Sequence, residues 1–407
     1  MRSQDVRTGV FRPEQAAHVS DTTYQERIVR AEPRHSDLFF SREGTYFGIA
    51  AEVPWNTRVC LGQRMVLLRP DPAQMDCRFL RCWLNSPIMV SYMNGFRDGS
   101  VAERLNMPTI RALPVLAGPV SEQRAIADVL GTLEDKVALN RRMNETLDAI
   151  ARAIYKSWFV DFDPVRARPA SGQPTGMSAE NAALFPARFG QSELGDIPAG
   201  WRVCKLAELA EITDCLHSKK PARIESGKTL LQLWNIRDDA LLDMSDPYYI
   251  SSSDYAEWTS RMEATTGDCV ITNVGRVGAV AQIPTGFKAA LGRNMTGIRC
   301  LDDCAYPTFL VQALTSSALR DEILLKTDSG TILDSLNVRN IPQLRLVRPP
   351  TPLLEAFERK CRPMRARMEN NIQESSTLAT LRDTLLPKLL SGEIRVKQAE
   401  KAMETAL

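Results

Sequence analysis

The chain has 407 residues, 44% hydrophobic and 25% charged, which describes a folded protein of more than one domain and excludes a disordered or collagen-like one. No apolar run reaches the ~18 residues of a membrane span. With 51 basic and 49 acidic residues the net charge is +2, so any polyanion must be met by local clusters rather than by bulk charge.

The opening "MRSQDVRTGVFRPEQ" has no apolar core and does not read as a secretory signal. The nine cysteines form no CxxC pair, and their odd number fits free thiols in a reducing cytoplasm. Neither a metal site nor a cofactor is expected. The first 118 residues mix short alternating strands, Gly turns and short helical stretches, including "GIAAEVP" at Gly48, "LGQRMVLLRP" at Leu61 and "FLRCWLNSP" at Phe79. They end in "GSVAERLNMPTIRALPVLAGP", Gly99 to Pro119.

A long helix follows. From Ile126 a 4-3 spacing runs through Leu130, Leu133, Val137, Asn140, Asn144, Leu147, Ala151, Ile154 and Trp158, a heptad seam that predicts a coiled-coil strand over 119–163. Ser121, with Glu122 and Gln123 after it, offers an N-cap. A linker over 164–199 leads to a second mixed region, 200–350.

The second region repeats the first. "GAVAQIP" at Gly278, "LGRNMTGIRC" at Leu291, "FLVQALTSS" at Phe309 and "GTILDSLNVRNIPQLRLVRPP" from Gly330 match the four phrases above at an offset of 230 or 231. The same offset carries the seam to a second helix, 351–390, through Phe357, Cys361, Met364, Met368, Asn371, Ser375, Leu378, Arg382, Leu385 and Leu389. Pro363 inside it predicts a kink or a late start. A tail, 391–407, closes the chain.

A tandem duplication of this kind has a self-evident architecture. The expected fold is α/β (α+β): two similar heads and two long antiparallel coiled-coil helices related by a pseudo-two-fold axis. Pairing is expected through Ile126, Leu130, Leu133, Val137, Asn140, Leu147, Ile154, Met364, Met368, Asn371, Leu378 and Leu385. Asn140 and Asn371 stand at equivalent seam positions, where an amide costs stability and sets register. Residues 121–159 of helix one would span about 58 Å at 1.5 Å per residue and hold the heads apart like a dumbbell.

Three phrases carry a family resemblance: "LNRRMNETLDAIARAIYKSWFVDFDPVRA", "LFPARFGQSELGDIPAGW" and "LRDTLLPKLLSGEIRV". With the order of heads and helices, they resemble the specificity subunit of type I DNA restriction–modification systems. The resemblance implies two target-recognition domains reading double-stranded DNA, with two methyltransferase subunits and the restriction (motor) subunits as partners, in the cytoplasm and away from membranes. It also implies a subunit with no catalysis of its own and a bipartite, asymmetric target. One departure is plain. Head two begins with "GWRVCKLAELAEITDCLHSKKPARIESGKTLL", and at the offset its counterpart would precede Met1, so head one reads as N-terminally short by roughly 30 residues.

Candidate DNA contacts follow from charge and turn chemistry. In head two they are Lys219, Lys220 and Arg223 in "HSKKPAR", Arg276 in "NVGRVG", and Arg293 with Asn294 in "LGRNM". In head one they are Arg42, Tyr46, Arg64, Arg97 and Arg104. Two local motifs are set aside. "ARIESGKTLL" loosely fits a phosphate loop, but the following "LLQLWNI" reads as a strand rather than a helix. "SDPYY" lacks the second proline of an adenine methyltransferase loop, and no cofactor loop accompanies it. The remaining readings are a DNA methyltransferase or fused restriction enzyme, which would need that loop, and a structural coiled-coil adaptor without nucleic acid.

Overall fold

The structure is a computed structural model. It describes residues 1–406 except 7–8, 12, 14–15, 45–46, 97–103, 117, 172–176, 302–305 and 329–333, together with the side chains of 168–171 and 404–406. Tyr46 and Arg97 therefore lie outside the described residues.

In chain order the first elements are α1 (Asp21–Ile28), β1 (Leu38–Ser41), β2 (Ala50–Glu52), β3 (Met65–Leu68), α2 (Cys77–Leu84), α3 (Pro87–Asn94) and α4 (Met107–Arg111). The long α5 (Val120–Phe159) follows, then α6 (Asp163–Ser171), α7 (Ala179–Ala183), β4 (Phe189–Ser192) and β5 (Gly195–Pro198). Next come β6 (Arg202–Lys205), β7 (Ala210–Asp214), β8 (Lys228–Thr229), β9 (Tyr249–Ile250), α8 (Ser252–Trp258), β10 (Cys269–Thr272), β11 (Val280–Gln282) and β12 (Met295–Cys300). The chain ends with α9 (Pro307–Thr315), α10 (Ser317–Leu325), β13 (Thr327–Asp328), β14 (Ser335–Leu336), β15 (Arg345–Arg348), α11 (Thr351–Leu390) and α12 (Val396–Ala406). Two compact units result, Met1–Leu139 with Glu374–Leu407, and Asn140–Gln373; the boundary falls inside both long helices.

Element by element, the repeat in the sequence is a repeat in the backbone. α1 and α8 start at 21 and 252, β1 and β10 at 38 and 269, β3 and β12 at 65 and 295, α5 and α11 at 120 and 351. Both long helices are 40 residues. The first unit has an antiparallel sheet in the order β2-β1-β3, and the second has β11-β10-β12-β7. Register is kept as well: Phe39 faces Ala51 and Leu67, and Val270 faces Ala281 and Gly297.

Strand alternation splits each core across its sheet. In the first unit Leu38 and Phe40 face Trp83, Leu84, Met89 and Met93 of α2 and α3, while Phe39 faces Val6, Phe11 and Val53. In the second unit Cys269 and Ile271 join an aromatic cluster of Tyr155, Trp158, Phe159, Trp201, Phe309 and Phe357, and Val270 faces Leu231, Met262 and Met295.

The long helices pair antiparallel within each unit. In the first, Ile126, Leu130 and Leu133 are buried with Leu378, Leu385 and Leu389, and Val137 packs partly buried against them. Lys136 pairs with Glu374 at 3.2 Å, and Glu134 with Arg382 at 3.5 Å, farther along the second helix. In the second unit Asn144 Nδ2 donates to Met368 O at 3.1 Å, and Asn140 Nδ2 reaches Asn371 O at 3.5 Å. Met368 and Asn371 are buried there, while Leu147, Ile154 and Met364 are half-buried.

Two local expectations are corrected. α5 starts at Val120, and the carbonyl of Pro119 already accepts from Gln123 N at 3.0 Å, so Ser121 lies inside the first turn and is not the cap. α11 starts at Thr351 and runs unbroken past Pro363, so there is no late start. Pro363 lies on an exposed face, where water can serve the carbonyl it leaves without a donor.

The twice-used phrase has a structural job. Leu105 and Leu336 are buried, and Asn106 and Asn337 accept from the backbone N–H of Thr109 and Arg339 at 2.8 and 3.0 Å, capping short helical turns. Ile110 and Ile341 are buried next, and Pro119 and Pro350 accept the first N–H groups of the long helices.

Candidate nucleic-acid interface

The turn between the first two strands of each sheet sits on the same backbone frame in both units. In the second unit Asn273 N donates to Asn294 O at 2.8 Å, Leu336 N donates to Asn273 O at 2.8 Å, and Val274 bridges Ser335. In the first unit Arg42 N donates to Arg64 O at 3.1 Å, Leu105 N donates to Arg42 O at 2.8 Å, and Glu43 bridges Arg104. Gly44 and Gly275 take φ of 94° and 82° in the two turns, which suits glycine. One frame therefore carries two sets of side chains: Arg42, Glu43, Arg64 and Arg104 in one unit, and Asn273, Val274, Asn294 and Ser335 in the other.

The sets differ in chemistry. Asn273 is buried and donates Nδ2 to Thr296 Oγ1 at 2.9 Å. The counterpart of Thr296 is Val66, which cannot accept, and the buried Nε of Arg42 has no hydrogen-bond partner among the described residues. Arg64 is 60% exposed and its Nε lies 3.4 Å from Glu43 Oε1. Arg104 is exposed on the strand opposite.

In the second unit the candidates gather around residues 231–236. A Cβ at Gly292 would collide with Leu231 O, so the "GRN" turn lies directly on this segment. Arg293 is exposed there, and Asn294 takes φ 65°, a conformation asparagine tolerates better than most residues. Arg276 donates to Ile236 O and pairs with Asp238, so its guanidinium is held by the protein. The sequence reading of "LLQLWNI" as a strand is corrected: a 3-10 turn forms at Leu233–Asn235. Asn235 Oδ1 accepts from Gln232 N at 2.8 Å, and Nδ2 donates to Asp243 O at 2.7 Å, in place of ladder bonds.

That turn exposes Trp234, which together with Tyr248 was not singled out from sequence. Trp234 is 50% exposed, and its Nε1 donates to Asp246 O at 3.1 Å. Lys220 Nζ stands 4.0 Å above the Tyr248 ring and 5.2 Å from the Trp234 ring. Burial, and then the neighbouring Arg223, hold the Lys220 ammonium pKa below its ordinary value. Arg223 pairs with Asp246 and donates to Pro247 O at 2.9 Å, and Tyr248 Oη donates to Pro221 O at 2.7 Å. Lys219 is exposed beside them. The result is a cation-and-aromatic surface, the combination that serves both phosphate and base faces.

The set-aside motifs resolve structurally. Lys228 and Thr229 form β8 and open no helix, and Gly227 packs against Ile250 O. Asp214, Cys215 and His217 bring a carboxylate oxygen, a thiol and an imidazole nitrogen within 4.8 Å of one another, a grouping that cysteine spacing alone does not reveal. His217 Nε2 and Asp214 Oδ2 are already hydrogen-bonded at 2.7 Å. All eight described cysteines are free thiols. No described helix is long and apolar enough to cross a membrane.

No family model matches the chain. Curated proteins do. The chain is 26% identical over 323 residues to the type I restriction enzyme HindI specificity subunit of Haemophilus influenzae, covering 67% of each. It is 22% identical over 388 residues to the type I restriction enzyme MjaIX specificity subunit of Methanocaldococcus jannaschii, covering 94% of this chain and 82% of that one. Among solved structures, the type I restriction–modification S subunit from M. genitalium superposes with a TM-score of 0.51 at 16% identity, over 88% of this chain and 83% of that one, and so shares its fold. Over most of its length the chain is similar in sequence to the specificity subunits of type I restriction enzymes.

Proposed function

We propose that this chain is the non-catalytic DNA-reading subunit of a type I restriction–modification complex in the cytoplasm. Head one (1–118) and head two (200–350) each read one half of a split, asymmetric target, and the paired helices set the number of unread base pairs between the halves. The near-symmetry of the helices offers two similar docking surfaces for two methyltransferase subunits, with the restriction subunits joining them.

The observation that carries the reading is the shared frame with unlike side chains. Hydrogen bonds and buried leucines are kept between the units, while the exposed polar residues diverge. Two half-sites of different sequence require that pattern; a symmetric reader would instead meet a palindrome. Relatives named as specificity subunits support it over nearly the whole chain. The contacts assigned are Arg42, Tyr46, Arg64, Arg97 and Arg104 in head one, and Lys219, Lys220, Arg223, Arg276, Arg293 and Asn294 in head two, with Trp234 and Tyr248 added.

The test is to express the chain with its host's methyltransferase subunit and sequence the methylated DNA. A split motif with unlike halves is the expected result. Methylation without sequence preference would favour a structural adaptor. Stoichiometric S-adenosylmethionine binding by the chain alone would favour a methyltransferase.

A further inference from the structure

Arg64, like Arg69 with Asp37 and Arg124 with Asp76, is an exposed arginine with a carboxylate on its Nε edge, and of these three it is the one that stands on the turn frame shared by both units. Its Nε edge faces Glu43 at 3.4 Å, while the side chain as a whole is still 60% exposed. Glu43 is itself largely covered, and its main chain is held opposite Arg104 by an isolated β-bridge, which fixes the point from which its side chain starts. A carboxylate on the Nε side leaves the donors of the two Nη groups available as a planar fork.

The charge behind the fork decides what it suits. A phosphate on those Nη groups would carry a full negative charge close to the Glu43 carboxylate, and like charges at such range repel. A guanine edge presents O6 and N7, two neutral acceptors with the spacing of the fork, and it meets no such penalty. The same frame in the second unit places Asn294 where the first has Arg64, with Val274 in place of Glu43. An amide there has a donor and an acceptor, which match adenine N7 and N6.

We infer that Glu43 is a positioning residue that presents Arg64 to a guanine, and that Arg64 and Asn294 are the equivalent residues by which the two half-sites come to differ. The inference rests on the proposed DNA-reading role and deepens it. It assigns a base to each unit and a function to a glutamate that charge counting alone would score as unfavourable for DNA.

The test uses the full chain co-expressed with the methyltransferase subunit, read by sequencing methylated DNA. Arg64→Lys keeps the charge and loses the fork. It is expected to reduce discrimination for guanine at one position of one half-site by roughly tenfold or more, leaving the other half-site unchanged. Asn294→Arg is expected to move one position of the other half-site from adenine toward guanine. Glu43→Gln is expected to weaken discrimination at the Arg64 position alone, with an unchanged melting temperature. Base preferences that stay the same in Arg64→Lys would overturn the inference, as would changes that spread over both half-sites. If the unsubstituted chain directs no sequence-specific methylation, it is the underlying DNA-reading role that fails.

Discussion

Asn371 donates its side-chain Nδ2 to Asn144 Oδ1 at 2.7 Å, and Asn144 in turn donates to the main-chain oxygen of Met368 at 3.1 Å. Both amides are buried between two helices that the sequence places 231 residues apart. Asn140 joins them at Asn371 O.

An Asn144→Leu substitution removes the acceptor that Asn371 uses while leaving that amide buried. The expected cost is about 1–3 kcal/mol, seen as a lower melting temperature. Replacing Asn140, Asn144 and Asn371 together by leucine removes the polar groups along with their desolvation cost, and should melt at or above the unsubstituted chain. A single variant that melts unchanged would show that the amides carry no structural role.

Glu134 receives the buried Arg81, which also donates to Glu52 at 2.8 Å, and it pairs with Arg382 on the facing helix. Glu134→Leu leaves the Arg81 guanidinium inside the first unit with one carboxylate in place of two. Losing a partner in a buried network of this kind costs about 3 kcal/mol, measurable by denaturant unfolding. The Cys82 thiol beside it is pushed up to about 12 by burial and then by Glu134, so it should stay unreactive toward alkylating reagents in the folded chain at neutral pH.

Glu322 accepts from Arg345 Nε and Nη2 at 3.1 and 3.0 Å, and this pairing holds its carboxyl below the ordinary value of 4.5. A carboxylate depressed on folding stabilises the protein above its unfolded pKa, and that contribution is lost as pH falls through the lower folded value. Glu322→Gln should therefore lower stability at pH 7 and flatten the stability–pH curve below about pH 4.5. Melting curves across that range check it; an unaltered slope would mean the pair is not formed in solution.

Lys220 and Trp234 belong to the proposed interface, not to the core. Lys220→Ala should weaken DNA binding by the complex and reduce the slope of log affinity against log salt by about 0.9, one phosphate contact. Trp234→Ala should weaken binding with less change in slope, because stacking does not release counterions. Both should melt close to the unsubstituted chain.

The proposed ruler role predicts that deleting one heptad from each long helix shortens the unread gap by about 10 Å, or about three base pairs, while the bases of each half-site stay the same. Methylated-motif sequencing would show it, and an unchanged gap would end the ruler role.

The duplication and the two long helices were legible in the sequence, because periodicity and self-similarity are one-dimensional properties. An apolar residue every 3.5 positions must form a buried stripe wherever the helix lies, and a phrase repeated at offset 230 or 231 must refold alike. Other features were decided by tertiary structure. "LLQLWNI" reads as a strand, and the Asn235 side-chain bonds instead hold a turn that exposes Trp234. Ser121 reads as a cap, but Pro119 supplies the first carbonyl. Arg64 reads as one of several candidate contacts, and only the folded turn sets Glu43 beside it. Which side chains meet across strands depends on register and twist, and those are settled by packing the whole unit.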